Sequence, residues 1–568
     1  MLKKWFGRLF SCKTLYVICF IAINLIEFLK ASQTGDVWYV AVNCTGLVMM
    51  VILFSAYPLR DFLTRGNVVY TLFCLAAMAG VYLHWLQNIG HYNLWQRETA
   101  LLNVWWLGIL LKYLFEKILV QKQIPLKPDY VGWIWIALSV FMICSVSQKL
   151  WPLWYFLMFG AFYLTKYTPE RGRALREGMV DGTILSFFGI QIYAYGFRPY
   201  DTVRYVGAYG NCNAMALYYL VVYCMVLFKL HQLQMKKAHK GWKLFYLTGA
   251  GGLLCFQLFT LCRTAWLVSA VITLLYGVLV IRKYWGLTWG CILMRGGALA
   301  LSAALTFLPV YETIRWLPTI LHYRIWYDGE YSVDKVHSFD PPNSDKYVSL
   351  EEFMEEAAGR ILRTLNGAEN KPQEAEGELP AERRPEEAEA GNIRQEGTMP
   401  QEPEAGSMEQ KGTTPEESDS EEIEQEEENL ERVELVSVPW TQDESTRIRL
   451  TIYKTYLRDM KWFGNGPGSG YYKIGDTGYQ SWHAQNLWIQ MGYTFGIPAG
   501  ILSIALTLAI LISQIRKIRG NIGGPYRVLP IFVCAIFFLF GLTEIVWNLG
   551  QIIMFLMYFV QHPDIFRD

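Results

Sequence analysis

The sequence predicts an all-α, polytopic membrane protein with about 12–14 transmembrane helices, since runs of about 18 or more apolar residues read as spans. One large extracytoplasmic loop interrupts them. Three observations carry this reading. Of 568 residues, 53% are hydrophobic and 15% aromatic, too apolar for a soluble chain of this size. Long apolar runs recur from one end to the other. Lysine and arginine fall in alternate loops along the chain.

In order, the candidate spans lie near residues 14–29, 37–56, 68–87, 101–119, 130–147, 151–165, 177–195, 211–230, 244–260, 264–281, 291–310, 497–514, 527–546 and 549–561. Several are short or closely spaced, so the count is a range. The first follows Lys3, Lys4 and Arg8 and lacks a small-residue cleavage site, which predicts a retained span rather than a signal peptide. The 11 cysteines are scattered through apolar segments, as at Cys74, Cys144 and Cys255. That spacing is neither a metal-ligand pattern nor a disulfide framework.

The net charge of +1 conceals a segregation. Residues 351–434 hold 27 of the 50 acidic residues but only 8 of the 51 basic ones. The rest of the chain therefore carries a strong positive excess. Numbered from an inside N-terminus, the inside loops hold Arg60 and Arg65, Lys117 and Lys122, Arg171 and Arg173, Lys236 and Lys237, and Arg516 and Lys517. The intervening loops show one or two basic residues each, such as Lys30 and Arg97. This asymmetry predicts an inside N-terminus, with residues 311–496 facing out.

Four segments follow. Residues 1–195 form the N-terminal spans, 196–310 the core spans, 311–496 the extracytoplasmic loop and 497–568 the C-terminal spans. Between Met354 and Pro439 there is no Phe, Trp or Tyr, and Glu, Pro, Gly and Gln dominate. Such a stretch cannot bury enough apolar surface to offset chain entropy, so residues 354–439 are expected to be a disordered acidic insertion. Beyond it, Ile448, Ile452, Tyr456 and Met460 recur near helical spacing and predict an amphipathic helix over Thr446 to Lys461. A glycine cluster ends it.

The chemistry concentrates on that loop. Gly464 to Gly470 alternates glycine with Asn, Pro and Ser. Gly466 and Gly468 could expose backbone N–H groups to an anion, because glycine permits positive φ and close approach. The stretch lacks the Lys-Ser/Thr ending of a Walker loop and the strand–helix setting of a dinucleotide fingerprint. His483 is one of eight histidines and precedes Asn486 by three residues, which places both on one face if a helix begins there. Imidazole suits proton transfer near neutral pH. Arg263 lies between two consecutive spans at the outer boundary, with Arg198, Arg204, Arg447 and Arg449 on the same side. Guanidinium matches phosphate oxygens bidentately, so these arginines suit an anionic, lipid-anchored substrate.

Four segments resemble the bacterial O-antigen ligase and O-antigen polymerase family. Gly207-Ala208-Tyr209-Gly210-Asn211-Cys212-Asn213-Ala214 resembles its glycine-then-paired-asparagine element, and Cys262-Arg263-Thr264-Ala265 its Ser-Arg-small element. Arg449 and Tyr453, leading to Gly464-Asn465-Gly466-Pro467-Gly468, resemble its arginine-aromatic helix and Gly-x-Gly turn. His483-Ala484-Gln485-Asn486, running to Gly496-Ile497-Pro498-Ala499-Gly500, resembles its histidine motif. The match covers roughly residues 200–515 without the insertion. Gln485 stands where the family often has a second histidine, Cys262 replaces Ser and Cys212 replaces Pro.

The resemblance implies a GT-C-like membrane glycosyltransferase acting on an undecaprenyl-diphosphate-linked glycan donor at the outer membrane face, in surface polysaccharide biosynthesis. It implies a glycan or lipid-glycan acceptor, an inverting reaction with neither metal nor cofactor, and no nucleic acid partner. Arg263 and Arg449 (or Arg447) would hold the diphosphate. His483 would activate or orient the acceptor hydroxyl, supported by Asn486. The alternatives are a protein O-oligosaccharyltransferase and a transporter or flippase of the lipid-linked glycan. The flippase would need charges near the midplane, whereas Asp181, Glu27 and Glu544 all lie near span ends.

The orientation has a direct test. In a variant without accessible native cysteines, Asp345→Cys or Trp440→Cys should react with a membrane-impermeant maleimide in intact cells. Reaction only after permeabilisation reverses the topology.

Overall fold

The computed structural model describes residues 11–31, 36–88, 93–124, 128–147, 150–196, 198–201, 204–209, 211–284, 286–320, 325–326, 350–365, 431–436, 444–465, 470–475, 479–481, 483–520, 525–544, 556, 562 and 565. Two compact units emerge. The larger comprises residues 1–361, 452–470 and 483–568, and the smaller residues 362–451 and 471–482. Apart from residue 556, the expected span at 549–561 lies outside the described residues, as do the glycines Gly466 and Gly468.

The chain is mostly helical, as expected. Helices α1 (Cys12–Ala31), α2 (Asp36–Phe54), α3 (Arg65–Gln87) and α4 (Leu94–Phe115) open the larger unit. Helices α5 (Tyr130–Cys144), α6 (Leu150–Leu164) and α7 (Pro169–Gly196) follow, the last beginning on proline, whose fixed φ suits a first turn. Short strands β1 (Arg198–Asp201) and β2 (Arg204–Tyr205) then lead into α8 (Cys212–Met235), α9 (Lys240–Phe259), α10 (Arg263–Leu275) and α11 (Trp289–Ile320). A π-helical stretch, Tyr276–Tyr284, extends α10. Strand β3 (Ile325–Trp326) pairs parallel to β1, which pairs antiparallel with β2 through Tyr200–Tyr205 and Asp201–Arg204.

Further along come α12 (Leu350–Leu365), strand β4 (Glu431–Val433) and α13 (Glu444–Arg458). Strands β5 (Tyr472–Ile474) and β6 (Tyr479–Ser481) precede α14 (Leu487–Phe495), α15 (Ile497–Gly520) and α16 (Leu529–Gly541). In the smaller unit β4 pairs parallel with β5, and β5 antiparallel with β6. Two three-stranded sheets therefore qualify the all-α expectation.

Among the described residues, five helices are long and apolar enough to cross a membrane: α3, α8, α10 with its extension, α11 and α15. Others, such as α5 and α16, are apolar but shorter. The surfaces of α3 and α11 are largely exposed and apolar, with Val69, Phe73, Leu293 and Leu305 pointing outward. Such surface suits hydrocarbon rather than water. Helix α8 differs. It is hydrophobic on every side and buried along most of its length, the pattern of a helix enclosed by others. Its tyrosines place their hydroxyls on neighbours: Tyr219 donates to Gln191 Oε1 (2.8 Å), and Tyr223 pairs with Thr273 (2.7 Å).

Two features of the insertion depart from expectation. Residues 354–365 belong to α12, with Phe353 and Ala357 buried, and residues 431–433 form β4. Composition concealed the helix, because acidic residues such as Glu351 and Glu355 occupy its solvent face while a narrow apolar stripe suffices to dock it.

At the lysine-rich end of the larger unit, Lys13 Nζ lies 2.8 Å from Asp181 and 3.0 Å from Glu177, and Lys229 Nζ lies 2.5 Å from Asp181. These pairs neutralise the carboxylates that α7 carries near that end. The same face of α7 holds Gly178 and Gly182 against α1. A Cβ on Gly178 would come 2.5 Å from Tyr16 Cβ, and one on Gly182 would come 2.7 Å from the Val17 carbonyl oxygen. Glycines four apart let two helices approach closely, as membrane helix pairs do.

Gly182→Leu should therefore destabilise the protein by about 1–3 kcal/mol through overpacking. Gly189→Leu, where a Cβ meets nothing within 4 Å, should be neutral. Thermal unfolding of the two variants in detergent separates them, and equal midpoints would contradict the packing described.

Candidate functional site

Helix α14 begins where Asn486 can cap it. Asn486 Oδ1 accepts from the backbone N–H groups of Trp488 (3.0 Å) and Ile489 (3.1 Å), and its Nδ2 donates to the Leu542 carbonyl at 3.0 Å. A helix leaves its first N–H groups unpartnered, and a short amide side chain satisfies them well. His483 stands before this helix, in a turn, so the two residues do not share a helical face. The competing principle was the cap: asparagine ended the turn and set the helix start one residue after itself.

The turn is closed from within. His483 Nδ1 accepts the backbone N–H of Gln485 at 3.2 Å, and Gln490 Oε1 accepts that of Ala484 at 2.8 Å. Gln485 adopts φ +47°, uncommon for a side chain of its size. Because Nδ1 is the accepting nitrogen, the neutral ring carries its proton on Nε2. The His483 side chain reaches the surface, yet loss of hydration beside the protein holds its pKa below the ordinary 6.5. At neutral pH the ring is uncharged.

Three consecutive residues after α16 tie this turn to the other helix ends. The Leu542 carbonyl accepts from Asn486 and also faces Tyr453 Oη at 2.9 Å. Tyr453, in the part of α13 belonging to the larger unit, lies 3.2 Å from the Gln485 carbonyl as well, so one O–H serves two acceptors. Thr543 Oγ1 pairs with Thr264 Oγ1 at 3.0 Å, in the first turn of α10 beside Arg263. Glu544 Oε1 accepts from Asn213 Nδ2 at 2.5 Å. Asn213 Oδ1 in turn accepts from Arg204, whose Nε donates to the Thr260 carbonyl at 3.2 Å. Asn211 caps α8 through Asn213 N and Ala214 N.

The larger unit thus gathers His483, Asn486, Arg204 and Arg263, with Arg263 half-buried at the start of α10. Arg447 and Arg449 belong to the smaller unit, where Arg447 Nε donates to the Val436 carbonyl at 3.2 Å. Sequence reading missed Glu544, Asn213 and Tyr453 as members of the site. The paired asparagines were in the motif, but a lone glutamate after a span signals nothing by itself.

The glycine cluster has a different role at its first residue. Gly464 and Gly496 both take positive φ, +84° and +106°, and lie back to back. A Cβ on Gly464 would overlap the Thr494 carbonyl, and one on Gly496 the Trp462 carbonyl. Asn465 N donates to Tyr493 O at 2.9 Å, and Ile497 N to Lys461 O at 3.1 Å. Gly464 therefore seats the chain after α13 against the end of α14. Among the described residues, no group of three His, Cys, Asp or Glu side chains is placed as metal ligands. In comparisons with protein-family models, curated proteins and solved structures, the chain matches none.

The two functions of Asn486 are separable. Asn486→Asp keeps the accepting oxygen, so α14 should lose little stability while the bond to Leu542 is lost. Asn486→Ala should cost about 1 kcal/mol more through the missing cap. Thermal unfolding midpoints rank the three proteins, and an aspartate as damaging as alanine would show that the cap is not what Asn486 supplies.

Proposed function

We propose that the protein is a membrane glycosyltransferase of the O-antigen ligase or polymerase type, with a GT-C-like architecture and its site on the outer face of a bacterial cytoplasmic membrane. It transfers glycan from an undecaprenyl-diphosphate-linked donor to a glycan or lipid-glycan acceptor. One observation carries the reading: residues 542–544 draw the histidine turn, the asparagine pair and the start of the Arg263 helix into one hydrogen-bonded set at one end of the larger unit. That set offers guanidinium groups for an anion and polar groups for a hydroxyl, at the end opposite the lysine–carboxylate cluster.

In an inverting transfer the acceptor oxygen forms a bond to the anomeric carbon as the carbon–oxygen bond to diphosphate breaks. The leaving diphosphate gains charge, and Arg263, with the positive end of the α10 dipole behind it, stabilises that charge. His483 presents Nε2–H while Nδ1 is engaged with Gln485, so it orients the acceptor rather than accepting its proton. The proton passes to a carboxylate, and Glu544 is the one held in this network. The paired state of Asp181 with Lys13 and Lys229 disfavours a flippase reading, which needs an exchangeable charge on the substrate path.

Transfer from a purified diphosphate-lipid glycan in detergent tests this. Glu544→Gln should lose about 10²–10⁴ in rate, the usual contribution of a positioned proton-transfer group, and His483→Ala about 10²-fold through loss of acceptor orientation. Glu544→Gln keeps an oxygen for Asn213, so its thermal midpoint should hold. Activity should fall on acidification only below pH 6.5, because His483 stays neutral above its lowered pKa and protonation of Nδ1 sets it against the Gln485 N–H. Full activity in both variants removes the site assignment, and translocation without transfer makes the protein a flippase.

A further inference from the structure

At the lysine-rich end of the larger unit, a cavity of about 440 Å³ opens among α4, α5, α6 and α15. Its lining is graded along the helices. Trp135 of α5, Phe156 of α6 and Ile510 of α15 line the deeper part, with Trp135 stacked on Phe156 at 4.9 Å between ring centroids. Asp129, Gln514 and Lys517 line the part nearest the helix ends. Ile510, Gln514 and Lys517 recur at four- and three-residue steps on α15, so one helix face passes from apolar to amide to charged.

The two charges at the rim are of opposite sign. Asp129 caps α5, its Oδ1 accepting the backbone N–H of Gly132 at 2.9 Å. A carboxylate has a second oxygen, so this cap leaves Oδ2 able to accept elsewhere. Lys517 lines the cavity and is also exposed, as a lysine is when its stem lies on apolar surface and its ammonium reaches the rim. Roughly 30 Å³, a water molecule's share of liquid volume, approximates one heavy atom, so the cavity holds about fifteen of them, one acyl chain rather than two. An apolar chamber that runs along membrane-spanning helices and ends in charge fits an amphiphile better than a water-soluble ligand.

We propose that this cavity binds one phospholipid with a phosphoethanolamine head group, from the leaflet at the lysine-rich end. One acyl chain lies along Trp135, Phe156 and Ile510, and the second remains in the surrounding hydrocarbon. Lys517 takes the phosphate, and Asp129 Oδ2 accepts from the primary ammonium. Both signs at the rim decide the head group. Phosphatidylcholine carries the same two charges but no N–H to donate, and phosphatidylglycerol carries no cation for Asp129. The lipid fills the gap between α6 and α15, the helix that runs from this cavity to Ile497 and so to the end of α14. Such binding depends on the membrane setting and not on the transferase reading.

Native mass spectrometry of the full-length protein tests it, with dioleoyl phosphatidylethanolamine, phosphatidylcholine and phosphatidylglycerol titrated separately in detergent. The unsubstituted protein should hold one phosphatidylethanolamine in preference to the other two. Asp129→Asn keeps the capping oxygen for α5, so the fold should hold while the preference over phosphatidylcholine falls about fivefold, the upper end for an exposed ion pair. Lys517→Met should weaken phosphatidylethanolamine and phosphatidylcholine alike, since both carry the phosphate. At Gly160, which lines the cavity, a Cβ meets only Trp135 at 3.9 Å, so Gly160→Leu should occupy the acyl-chain space. It should weaken all three lipids by about tenfold or more, through lost burial of methylene groups. Equal binding of the three lipids, a preference for phosphatidylglycerol, or a preference unchanged in Asp129→Asn overturns the head-group assignment. Unaltered lipid binding by a folded Gly160→Leu variant overturns the cavity as the seat, and if that variant does not fold, the Asp129→Asn result decides.

Discussion

A polar group taken from water must find a partner within the protein, and this constraint arranges the larger unit. Helix α8 is enclosed on all sides, so whatever its ends carry must be satisfied by other helices. At one end Lys229 meets Asp181, which also meets Lys13. At the other, Asn211 caps the helix while Asn213 stands between Arg204 and Glu544. The two polar levels are separated by a run of tyrosine, valine and leucine whose few hydroxyls are each spent on a neighbour.

The site level owes its character to helix ends. The starts of α8, α10 and α14 meet there, and each presents backbone donors. Two starts are capped by asparagine, whereas Cys262 leaves α10 without a side-chain oxygen. The start of α10, which carries Arg263, is therefore the least capped of the three. The histidine turn is held separately, by Tyr453 against the Gln485 carbonyl and by Gln490 against the Ala484 N–H. At the other end of α14, Gly464 lies against Gly496, where no side chain larger than hydrogen fits.

Much of this was legible along the chain, and what was not has physical causes. The spans now seen as α8 and α10 came from apolar runs, and the amphipathic helix now seen as Glu444–Arg458 from periodicity, both of them local signals. Helix α12 was read as part of a structureless tract because its glutamates dominate any count, although Phe353 and Ala357 already mark its buried stripe. The shared face of His483 and Asn486 failed for a local reason too, since asparagine prefers to begin a helix rather than to lie within it. The glycine cluster suggests an anion cradle at Gly466 and Gly468, yet Gly464, its first residue, is needed for close backbone approach.

By itself the sequence determined a mostly helical chain with apolar helices of spanning length, and it singled out His483, Arg204 and Arg263, because hydropathy, caps and residue chemistry are properties of short segments. Only the tertiary structure decided which arginines meet. Arg360, hidden in an acidic tract, arrives at the turn that precedes Arg263. It also decided that Glu544 and Asn213, 331 positions apart, share a hydrogen bond. Partners so distant are chosen by the packing of whole helices around α8, and no pattern within a window of residues encodes that choice.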